Sequence, residues 1–153
     1  MGTFINRFNT ALAGLLLAGL ATLAPASAAE PVFVGDASGA AIDGYDVVSY
    51  FSGLPQRGLP NFAVNYRGAD WYFASAANAA KFRLSPDAYI PKYGGFCAYG
   101  VANGYLVKSD PLAWSIHQGR LYLNFNAILR VKWLNGRTEY LSLSEKYWPK
   151  LIG

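Results

Sequence analysis

One cysteine, Cys97, stands in a chain of 153 residues. No intrachain disulfide can form, so the fold must be held by packing and hydrogen bonds alone. That constraint matters because the chain begins like an exported one, and small exported domains commonly rely on disulfide staples. A single thiol outside the cytoplasm is either buried and inert or has a task.

The export reading rests on the first 28 residues. Met1 to Asn9 carry Arg7 as their only side-chain charge, Ala11 to Ala24 are apolar, and Ala26-Ser27-Ala28 has small residues where signal peptidase needs them. This predicts a secretory signal peptide over residues 1–28, cleaved after Ala28. The apolar run falls short of the roughly 20 residues that span a bilayer, so no membrane anchor is expected after cleavage. No cysteine closes the run, which excludes a lipoprotein anchor, and a lone arginine excludes a twin-arginine signal. The expected destination is the periplasm of a bacterium or the medium outside it.

Residues 29–153 are then expected to form one domain, long enough to bury a core unaided. The core material is aromatic: 4 Trp, 11 Tyr and 9 Phe in the chain. The formal net charge of +4 is mild and its basic residues are scattered, with Arg130, Lys132 and Arg137 the tightest grouping. A nucleic-acid binder needs a basic patch with stacking aromatics. That class is set aside, and the basic residues are read as a solvated face.

Local patterns predict an α+β domain, a small antiparallel sheet of hairpins with several short helices packed on it. Phe62–Tyr66 alternates apolar and polar, Arg67 to Asp70 turns the chain, and Trp71–Phe73 suits a returning strand. Trp114–His117, Gln118-Gly119 and Arg120–Asn124 repeat the scheme. Ser75 is placed to cap a helix over 76–84, and Pro86 to open a short helix through Tyr89. Gly94 and Gly95 precede a helical turn around 96–101. Helices are expected over 126–134 and 141–148, broken at Asn135-Gly136. Val32–Val34 suits a strand.

Several of these runs share a family pattern. Gly44-Tyr45-Asp46-Val47-Val48-Ser49-Tyr50-Phe51, Trp71-Tyr72-Phe73-Ala74-Ser75, Lys81-Phe82 and Ser85-Pro86-Asp87 resemble the first half of a YHS-domain protein. Tyr93-Gly94-Gly95-Phe96-Cys97-Ala98-Tyr99-Gly100-Val101, Asp110-Pro111-Leu112-Ala113-Trp114, Leu121-Tyr122-Leu123-Asn124 and Trp148-Pro149 resemble the exported, single-domain branch of that family. The likeness runs from about Ile42 to Leu151 and implies a fold more than a function. Metal-associated YHS modules carry one cysteine in the opening motif and two more in a Phe-Cys-Ser-x-x-Cys run. Here the opening motif has Tyr45 and Asp46, and the later positions hold Ala74 and Asn78. A soft-metal site needs several thiolates or imidazoles, so the family's metal site is expected to be absent.

Four constellations remain. Cys97 and His117, completed by Asp46, Tyr93 or Tyr99, would suit copper, zinc or haem iron; against this, an unpaired cysteine is most often a small buried hydrophobe. Cys97 as a nucleophile would need a base or a helix N-terminus to lower its pKa, and no cysteine-protease signature surrounds it. Asp46 could bind a ligand, but capping a helical turn is the favoured role, and Asp110 before Pro111 is read likewise. The aromatics could line a pocket, with Tyr93, Tyr99 and Asn124 as its polar groups. The candidate ligand-binding set is thus Cys97, Tyr93, Tyr99, Asp46 and Asn124. The expected function is a non-catalytic binding or sensing module for a small ligand or metal complex. The alternatives are a thiol-dependent or redox enzyme using Cys97, and an accessory protein making only protein contacts.

Overall fold

The computed structural model describes residues 30–153. The expected signal peptide lies outside the described residues. Among the described residues no helix is long and apolar enough to cross a membrane.

The chain is α+β. Strands β1 (Leu59–Tyr66) and β2 (Ala69–Phe73) form one antiparallel hairpin; helices α1 (Ala76–Leu84), α2 (Pro86–Tyr89) and α3 (Ala98–Ala102) follow. Strands β3 (Asp110–His117) and β4 (Arg120–Asn124) form a second hairpin, and α4 (Ala127–Asn135) and α5 (Arg137–Ile152) close the fold. The hairpins are separate two-stranded sheets rather than neighbours in one. Both turn on two residues with positive φ, Arg67-Gly68 (51° and 75°) and Gln118-Gly119 (48° and 69°). That is the type I′ geometry whose twist matches the flanking strands.

Caps fix the helix starts. Ser75 Oγ accepts from the Asn78 amide at 3.1 Å, and Asn126 Oδ1 from the Leu129 amide at 2.8 Å. The last helix is longer than its apolar pattern suggested: Arg137–Ile152 runs on through Pro149. Val34 makes one isolated bridge to Ala41 instead of a strand.

Two cores result, and β4 lies between them. Leu121 and Leu123 enter the first, with Ile42, Val47, Tyr50, Trp71, Phe73 and Phe82. Tyr122 enters the second, with Tyr93, Ala98, Val101, Trp133 and Trp148. Successive strand side chains point to opposite faces, so one five-residue strand serves both. Phe82 is the hub of the first core, its ring 4.9 Å from that of Phe73 and 5.3 Å from that of Trp71. In the second, the Tyr122 and Trp133 rings lie 4.8 Å apart. Each fully buried side chain of this size contributes about 1.5–3 kcal/mol, which is how the fold manages without a disulfide.

Candidate functional site

Cys97 is fully buried. It sits at the N-cap of α3, where Sγ accepts from the Gly100 amide at 3.3 Å. It also accepts from the Phe125 amide at 3.2 Å, and the thiol faces Asn124 Oδ1 at 3.9 Å. Asn124 Oδ1 in turn accepts from the Tyr99 amide at 3.1 Å. Cys97, Asn124 and the backbone of Tyr99 therefore form one buried polar knot that ties α3 to the end of β4. Burial pushes the thiol pKa up; the amides of Gly100, Phe125 and Tyr99 pull the other way and offset only part of it. An activated nucleophile needs the opposite shift.

The other sequence candidates lie elsewhere. His117 pairs with Arg120 beside the hairpin turn, while Cys97 bridges Leu123. Three strand residues, about 10 Å, separate the two positions, and the His117 ring neighbours that of Tyr122 instead. The structure does not bring His117 to Cys97. Among the described residues no three His, Cys, Asp or Glu side chains are grouped to hold a metal ion. The Tyr99 ring packs on Tyr140. Tyr93 packs on Trp148 and Tyr122, and burial pushes its hydroxyl pKa up to about 12 against a partial offset from Ser144.

Asp46 is also fully buried, and its carboxylate is fully engaged. Oδ1 accepts from the amides of Val48 (2.9 Å) and Ser49 (3.3 Å), at the entrance to the turn Ser49–Ser52, whose N-cap position is Val48. Oδ2 accepts from the Ala74 amide (2.9 Å) and the Asn78 side-chain amide (2.7 Å). Ala74 and Asn78 lie 28 and 32 residues beyond Asp46 in the chain. The three meet in space, and a carboxylate clasp joins them.

A concave feature lies elsewhere again, a cavity of about 300 Å³. Phe33, Gly35–Ala37, Asp43, Lys108–Asp110 and Phe125 line it. Its walls are anchored: Ser109 Oγ donates to the Gly95 carbonyl at 2.6 Å, and the Phe125 amide is the one bound to Cys97. Asp43 lies in a run of three left-handed residues, Ile42 (54°), Asp43 (52°) and Gly44 (77°). A β-branched residue at positive φ is a genuine outlier, and such strain concentrates at functional sites. The lining holds three carboxylates, Asp36, Asp43 and Asp110, and one ammonium, Lys108, and Asp43 is also paired with Arg57 at 3.8 Å. None of these residues belongs to the ligand-binding set Cys97, Tyr93, Tyr99, Asp46 and Asn124 that the sequence suggests. Four separate segments supply the lining, and no spacing along the chain announces it.

Comparison of the chain with protein-family models, curated proteins and solved structures found no match.

Proposed function

We propose that this is an exported YHS-like domain acting in the periplasm as a non-catalytic binding module for a small ligand. The observation that carries the reading is the 300 Å³ cavity, which combines the rings of Phe33 and Phe125 with the polar side chains of Asp36, Asp43, Lys108, Ser109 and Asp110; small ligands bind in concave sites that join apolar walls to convergent polar groups. Its excess of carboxylates disfavours anions, so the ligand is a neutral or cationic molecule with an apolar part that fits between Phe33 and Phe125. The state of Cys97 supports binding over thiol catalysis: a fully buried thiol with a raised pKa and no imidazole beside it lacks the activation a nucleophile needs.

The test is ligand-observed NMR with a panel of small neutral and amine-bearing fragments against the protein and two variants. Saturable binding that is lost in Phe125→Ala and kept in Cys97→Ala is the expected result. Phe125→Ala leaves in place the backbone amide that binds Cys97. Binding lost in a folded Cys97→Ala protein and kept in Phe125→Ala would return the thiol to the centre.

A further inference from the structure

A second concavity of about 120 Å³ has the opposite character. Lys92, Tyr93, Arg120 and Trp148 contribute to its lining, together with Arg67, Glu30 and Asp87. Both acids are already engaged by one cation: Arg67 reaches Asp87 at 3.0 Å and Glu30 at 3.5 Å. Lys92 and Arg120 have no ion-pair partner among the described residues. The Nε of Arg120 is buried and has no hydrogen-bond partner among them either. A buried guanidinium N–H left unpaired costs free energy that a hydrogen-bonding anion would recover.

We propose that this cavity binds a small oxyanion, a carboxylate or phosphate group held between Arg120 and Lys92. Its volume suits a group of that size and not a larger molecule. The backbone supports the placement. Tyr93, Gly94 and Gly95 all have positive φ (60°, 59° and 87°), and this run sets Lys92 and Tyr93 on the cavity wall while the Tyr93 ring packs on Trp148. Glu30 is the built-in competitor. Its carboxylate lies 3.4 Å from the Trp148 indole nitrogen and 3.5 Å from Arg67, both long contacts that an incoming oxyanion can replace.

The test titrates acetate and, separately, inorganic phosphate into the protein at constant ionic strength, with chloride as the reference anion. NMR follows the Trp148 indole and Arg120 Nε–H signals. The expected result is a saturable shift with at least one of the two oxyanions, which names the group. Affinity should weaken about tenfold or more in Arg120→Gln and in Lys92→Gln, the loss of one charge-assisted contact, and tighten in Glu30→Gln. Lys92→Gln alters a partly exposed side chain and keeps the test valid if Arg120→Gln fails to fold. A response as linear as that to chloride, or saturation indifferent to Lys92→Gln and Arg120→Gln, would overturn the proposal.

Discussion

At the scale of single residues, two buried polar side chains organise this domain. Asp46 gathers four donors from three parts of the chain, and every donor points at a carboxylate oxygen. Asp46→Asn would turn an N–H₂ toward donors on one side or the other, leaving buried N–H groups unpaired. The expected cost is about 2–3 kcal/mol, read as a fall in the urea midpoint with an unchanged slope. Asn78→Ala removes one contact and should cost about 1 kcal/mol. Equal effects from the two variants would show that Asp46 is not the hub. Cys97 is the second organiser. Its thiol should resist a disulfide-exchange reagent in the native protein and react at the ordinary rate only after unfolding. Fast labelling under native conditions would mean that the thiol is accessible and that the knot around it opens.

At the scale of elements, the ends of helices and the turns carry the specification. Removing either side-chain cap, Ser75→Ala or Asn126→Ala, should cost about 1 kcal/mol in urea unfolding. Gly94→Ala should cost more than either. A Cβ there would meet the Pro31 carbonyl oxygen at 1.9 Å, and φ is +59°. A Gly94→Ala protein as stable as the cap variants would mean that the lead-in segment is not seated on this turn. These local features were legible because their causes are local: Ser75 three residues before Asn78, Pro86 at a helix start, and Gln118-Gly119 between alternating runs. That Asp46 would accept from backbone amides just after it was legible for the same reason, though Val48 and not Asp46 holds the N-cap position of the turn. The second pair of Asp46 contacts, to Ala74 and Asn78, was not, because no local rule links positions 28 and 32 residues apart. The cavities were hidden on the same grounds. The proximity of Cys97 to Asn124, 27 residues on, depends on how α3 docks against β4 and has no local signal, and a partnership of Cys97 with His117 is ruled out by where the hairpin turn lies.

At the scale of the whole molecule, β4 couples the two cores, and both cores bury ionisable hydroxyls. Burial raises the pKa of Tyr50, with smaller contributions from Tyr45, Asp110 and Asp46, and raises that of Tyr93 from 10.0 to about 12. Cys97 is raised from 9.0 for the same first cause. All three groups are neutral when protonated, and the unfolded chain releases their protons first. Stability is therefore complete below about pH 9 and is lost as pH rises through the folded values. Tyr93 alone accounts for roughly 2–3 kcal/mol by pH 12. Urea midpoints taken at pH 8, 9.5 and 11 should fall across the series; a flat series would contradict the burial of these groups.

The coupling also places the proposed ligand cavity against the Cys97 knot, because Phe125 lines the one and caps the other. The most direct measurement of the account is a backbone amide shift map with a saturating fragment. The account predicts the largest shifts at Gly35–Ala37, Lys108–Asp110 and Phe125, with the Cys97 thiol still unreactive in the bound protein. Shifts centred on Cys97 and α3, with a thiol that becomes reactive, would contradict it.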